Sequence, residues 1–94
     1  MSKYDQIATK IIKEQESIVG PLAWSEAGKV RGLRVINSKT GEVAFNNGDQ
    51  KEVVNSLVSQ YDRLFGKASH EVCREAVVSL IADLSPSEVP SSLM

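Results

Sequence analysis

The sequence predicts a small α+β domain with the element order α-α-β-β-α-α, in which a two-stranded antiparallel hairpin packs on helices. Two observations carry this assignment. Apolar residues recur at intervals of three and four through the first third and the last half of the chain, the spacing of a buried helical stripe. Between 33 and 46 Leu33/Val35 alternate with Arg34/Ile36 and Val43/Phe45 with Ala44/Asn46 around a Gly-containing turn, the period of a strand. At 94 residues the chain suits one domain, expected over 1–84, followed by a flexible Ser/Pro-rich tail over 85–94.

The first helix is expected to start on Ser2 as N-cap, with Asp5 three residues later placing negative charge in the first turn. Tyr4, Ile7, Ala8, Ile11, Ile12, Ile18 and Val19 form its stripe, and Gln15 interrupts it. Gly20-Pro21 stops or sharply bends that helix, because Pro21 has no amide to donate and disfavours helix at Gly20. Pro21 also suits the first turn of a second, short helix reaching about Lys29 and carrying Leu22, Ala23, Trp24 and Ala27.

Leu33 to Asn37 and Val43 to Asn46 read as the two strands, joined through Ser38-Lys39-Thr40-Gly41. Gly41 is available for a left-handed position there. Asn46-Asn47-Gly48 then closes the second strand as another turn. Asp49 as N-cap and Glu52 form a capping-box pattern ahead of Val53, Val54, Leu57, Val58, Tyr61, Leu64 and Phe65, and Gly66 ends this third helix. A fourth helix is expected from about Ser69 to Leu84, with Val72, Cys73, Ala76, Val77, Leu80, Ile81 and Leu84 inward. The short Gly66-Lys67-Ala68 connection implies that the last two helices pack as a hairpin. Residues 85–94 hold four Ser and two Pro, a composition too polar to pack over most of its length.

Composition narrows the function classes. Eleven Lys/Arg against twelve Asp/Glu leave a charge of −1, and one cysteine cannot form an internal disulfide. No run of apolar residues approaches a membrane span, and the start lacks the apolar core of a signal peptide. The expectation is a soluble, cytoplasmic protein with no membrane partner. Lys29, Arg31, Arg34 and Lys39 lie in a stretch without acidic residues, which leaves seven basic against twelve acidic elsewhere. Such a patch could meet phosphate or an acidic surface, or simply keep a strand edge soluble. It contains no aromatic residue for base stacking. Gly28-Lys29-Val30-Arg31-Gly32 is not a Walker loop, since the glycine spacing differs and no Gly-Lys-Ser/Thr opens a helix.

The stretch from Gly32 to Phe65, read through Val43-Ala44-Phe45-Asn46-Asn47-Gly48-Asp49, resembles the second half of KH-type RNA-binding domains. That resemblance implies nucleic-acid contact through a GxxG loop between two helices, which clamps the backbone. Here Gly28 and Gly32 are separated by three residues and follow the second helix, and the contact falls to the basic 28–39 segment.

His70 and Cys73 lie three apart near the start of the fourth helix, where a helix N-terminus would favour a thiolate, yet Cys73 shares the apolar stripe with Val77, Leu80 and Leu84. Glu71 and Glu75 flank Arg74 and read as a solvated face. No catalytic set, metal site or cofactor is expected. Trp24 reads as a core cover or a binding anchor. A lone two-stranded ribbon is marginal in water and leaves both edges open. The expected function is therefore a non-catalytic interaction module, an adaptor or oligomerisation domain whose partner is another protein or a second copy. Its interface would use Trp24, Leu33, Val35, Val43 and Phe45, and nucleic acid is the alternative partner.

Overall fold

Ile7, Ala8, Ile11 and Ile12 define one face of helix α1 (Lys3–Val19), and that face is fully buried. The computed structural model describes residues 3–46 and 49–93. The expected Ser2 cap, the Asn47-Gly48 part of the second turn and Met94 lie outside the described residues. After α1 come α2 (Leu22–Ala27), β1 (Leu33–Asn37), β2 (Glu42–Phe45), α3 (Gln50–Phe65), α4 (Lys67–Ala76) and α5 (Val78–Ile81). Two 3₁₀ turns follow, Pro86–Glu88 and Ser91–Leu93. This is the small α+β domain with an antiparallel hairpin packed on helices that the periodicity predicts.

The core forms where α1 meets α3 and α4. Val54, Leu57, Val58 and Tyr61 bring the apolar stripe of α3 against Ile7, Ile11 and Ile12, with Cys73 and Val77 added from the fourth helical segment. At about 1.5–3 kcal/mol for each fully buried aliphatic side chain, this cluster dominates the stability of the fold. Tyr61 is tied in by its hydroxyl, which donates to the Ala23 carbonyl at 2.6 Å and so links α3 to α2. The ring of Phe65 stacks on that of Tyr61 with centroids 6.3 Å apart. Asp49 caps α3 by accepting from the Lys51 amide at 2.9 Å.

The hairpin is held to α1 at its turn. Gly41 has φ +79°, and a Cβ there would stand 2.6 Å from Lys13 Cε and 3.1 Å from Thr9 Cγ2. The backbone angle therefore favours glycine, and a Cβ would also have to displace the flexible end of Lys13 and crowd Thr9. The Thr9 hydroxyl donates to the Gly41 carbonyl at 2.8 Å, fixing the turn on the helix.

Three expectations need correction. Only Gly66 separates α3 from α4, at φ +89° and ψ −178°, a conformation suited to glycine, so the fourth helix begins at Lys67 rather than Ser69. That helix is also not continuous to Leu84. Val77 leaves the helical region at φ −115° and ψ 9°, and a new turn starts at Val78. Two adjacent β-branched valines weaken helix there, and the break buries Val77 while Val78 stays 63% exposed. Finally, the segment expected to be a flexible tail is folded onto the helices through residue 93. Pro90 and Leu93 are buried, and side chains of α1, α3 and α4 bind its backbone.

Candidate functional site

The ribbon pairs Leu33 with Phe45, Arg34 with Ala44 and Val35 with Val43, and the register slips between Val35 and Asn37. The Asn46 amide donates to the Gly32 carbonyl at 3.0 Å, which continues the same register. Hydrogen-bonded and non-hydrogen-bonded pairs alternate along an antiparallel ladder. Arg34 and Ala44 are therefore a hydrogen-bonded pair, whereas Leu33, Val35, Val43 and Phe45 turn their backbone groups toward the outer edges. The Leu33 amide is used locally by the Val30 carbonyl at 3.2 Å. Among the described residues the sheet has two strands, so no strand lies beside β1 to receive the Val35 amide and carbonyl.

The faces of the ribbon differ. Leu33 and Val43 are buried, and Val35 and Phe45 are half-buried against the core. Arg34 is exposed on the opposite face, and Ile36, at the irregularity, is 44% exposed. α2 packs on β1 and α1 on β2. Burial along β1 falls away from Leu33 toward Asn37.

This placement revises the expected interface. The side chains of Leu33 and Val43 belong to the core and cannot also touch a partner. Val35 and Phe45 offer outward backbone rather than side chains. Trp24 is 7% exposed and covers the core, so it is not a surface anchor. Its burial follows from α2, whose residues Ala23, Glu26 and Ala27 are buried with it. The alternation does not single out Ile36, which the structure leaves exposed.

Lys29 is engaged by Glu26 at 3.1 Å, and Lys39 sits in the hairpin turn with its amide on Asn37 Oδ1 at 2.9 Å. Arg31, Arg34 and Lys39 are exposed and form no ion pair among the described residues. Glu26 accepts from Lys29 and from Gln60 at 2.8 Å, and these bonds hold its carboxyl below the usual carboxylate range. Gly28 and Gly32 lie between α2 and β1, not between two helices.

Cys73 is fully buried, and burial pushes its thiol up to about 11 although Gln15 Nε2 donates to the sulfur at 3.4 Å. His70 faces away from it, toward Asp62 and the Ser92 carbonyl. The reactive-thiol arrangement that the spacing allowed is therefore not assembled. A groove of about 680 Å³ runs between α1, the hairpin turn and Leu80, with Thr9, Lys10, Lys13 and Glu42 on its wall. Thr9 is already committed to Gly41, and Lys10 pairs with Glu14 at 3.4 Å. Among the described residues no group of three or more His, Cys, Asp or Glu is placed to hold a metal ion. Among them, too, no helix is long and apolar enough to cross a membrane. Comparison with protein-family models, with curated proteins and with solved structures finds no match to this chain.

Proposed function

We propose that this protein is a non-catalytic protein–protein interaction module that associates through the open edge of β1, with a second copy as its partner. The observation that supports the reading is the outward-facing backbone of Val35 on a two-stranded sheet that ends there. An edge of this kind gains hydrogen bonds and loses its exposure to unrelated chains when another strand adds to it.

Two copies would pair antiparallel about a two-fold axis through Val35 and make a four-stranded sheet. Val35 and the partner's Val35 would exchange two amide–carbonyl bonds, and Arg34 would lie opposite the partner's Ile36. An axis through Arg34 is disfavoured twice over: its backbone already serves Ala44, and two guanidinium groups would face each other. The proposal takes the protein as soluble and cytoplasmic.

Sedimentation across micromolar to millimolar concentration tests this. The unaltered chain should shift from one to two copies, while Ile36→Lys, which adds charge at an exposed position, should remain single with an unchanged melt. A single mass for the unaltered chain throughout would overturn the proposal. A second reading, contact with nucleic acid or another anion through Arg31 and Arg34, is supported by their exposure and by the absence of an ion pair to either among the described residues. It requires salt-sensitive binding that Arg31→Glu and Arg34→Glu weaken.

A further inference from the structure

Residues 85–93 are held by the rest of the chain in the manner of a bound peptide. The Tyr4 hydroxyl donates to the Glu88 carbonyl at 2.6 Å, and Lys51 Nζ donates to the Ser87 carbonyl at 2.9 Å. Asn55 Oδ1 accepts from both the amide and the hydroxyl of Ser92, at 3.0 Å and 2.7 Å. His70 Nε2 donates to the Ser92 carbonyl at 2.6 Å. Four of these five bonds read main-chain groups, and they come from α1, α3 and α4. Pro90 is fully buried and Leu93 is 2% exposed. Backbone bonds for affinity, with buried sites for a few anchoring side chains, are how grooves recognise peptides.

The segment also carries its own preorganisation. Glu88 accepts from the Ser85 amide and hydroxyl, both at 2.9 Å, which fixes the first 3₁₀ turn. Pro86 and Pro90 restrict the free chain, which lowers the entropy lost on docking.

We infer that the groove formed by α3 and α4 is a recognition site for a Pro-x-Ser-Leu peptide, occupied here in cis by Pro90 to Leu93. The partner is a chain that presents the same chemistry in the 3₁₀ turn seen here: a proline, a serine two residues later whose amide and hydroxyl meet Asn55, and a leucine after it whose amide returns to the proline carbonyl. A tethered segment acts at an effective concentration of roughly millimolar. The cis segment therefore shuts out a trans peptide of equal affinity until it is displaced.

A fluorescent peptide with the sequence from Ser85 to Leu93 tests the inference on the full chain. Leu93→Asp removes the cis anchor, so this variant should bind the peptide at least about tenfold more tightly than the unaltered chain. Adding Asn55→Ala should abolish the gain. Ser92→Pro, which removes the amide and hydroxyl that Asn55 reads, should open the site equally. If either opened variant keeps a cooperative melt and binds the peptide no better than the unaltered chain, the inference fails. Should neither fold, millimolar peptide added to the unaltered chain must shift the resonances of the chain's own Ser92 and Leu93 as they are displaced, and unmoved resonances overturn the inference.

Discussion

Val35→Pro separates the two edges of the ribbon in a single substitution. Proline removes the Val35 amide hydrogen, which points away from β2, and leaves the Arg34–Ala44 pair and the Asn46–Gly32 bond in place. Proline is tolerated in an edge strand where its nitrogen faces outward, and it favours the extended backbone that Arg34 already has. Because the proposed axis passes through Val35, one substitution deletes two intermolecular hydrogen bonds. At about 1 kcal/mol net each, the pair should lose about 2 kcal/mol, roughly a 30-fold rise in Kd. Sedimentation equilibrium beside a thermal melt reads both consequences. The expected result is a folded chain with sharply weakened self-association. A variant that folds and self-associates as strongly as the unaltered chain would refute the use of this edge. A variant that unfolds outright would show that the Val35 amide is spent inside the ribbon.

Other substitutions test the rest of the account. Gln15 is fully buried, and its Oε1 accepts no hydrogen bond among the described residues. Gln15→Met removes that orphaned oxygen but also the amide's bonds to the Ser69 carbonyl and Cys73 Sγ. A gain of about 1 kcal/mol is thus offset by a loss of about 1 kcal/mol, and Tm should stay within about 4 °C of the unaltered chain; a larger fall in Tm would contradict the assignment of Oε1 as unpartnered. Glu26 and Glu88 both have depressed carboxyl pKa values, Glu26 through Lys29 and Gln60, Glu88 through Ser85. Each therefore binds fewer protons folded than unfolded. Their stabilisation is present above the ordinary carboxylate range and is lost as pH falls through the depressed values. Urea unfolding across acidic pH should show this loss, and Glu26→Gln should flatten it. With its thiol pushed up to about 11 and fully buried, Cys73 should resist iodoacetamide at neutral pH until denaturant is added. Fast alkylation of the native chain would contradict the burial.

The elements that could be read from the sequence are those in which one local rule operates. The Ile7–Ile12 part of the α1 stripe, the Asp49 cap of α3 and the left-handed Gly41 each follow from spacing or backbone chemistry alone, and each is present, whereas Ile18 of that stripe is 55% exposed. The break at Val77 is invisible to periodicity, because the apolar pattern runs through it and neither Gly nor Pro marks it. Residues 85–93 were misjudged because composition averages over a segment, whereas docking depends on two anchors, Pro90 and Leu93, and on distant hooks such as Asn55 and His70. Gln15 interrupts the stripe as a polar residue, yet it is buried because its amide reaches the Ser69 carbonyl at 2.9 Å. At the ribbon, alternation identified β1 over Leu33–Asn37 but placed the second strand one residue late, at Val43–Asn46 instead of Glu42–Phe45. It could not tell that Leu33 and Val43 face the core and leave the backbone of Val35 as the exposed feature, since that depends on which face α1 and α2 cover.

Amide hydrogen exchange at Val35, followed by NMR as the chain is concentrated, tests the central claim most directly. Strand addition at β1 predicts that the Val35 amide becomes protected with increasing concentration, while the Arg34 amide, already bonded within the ribbon, keeps a constant rate. A Val35 amide whose exchange is independent of concentration would contradict the claim.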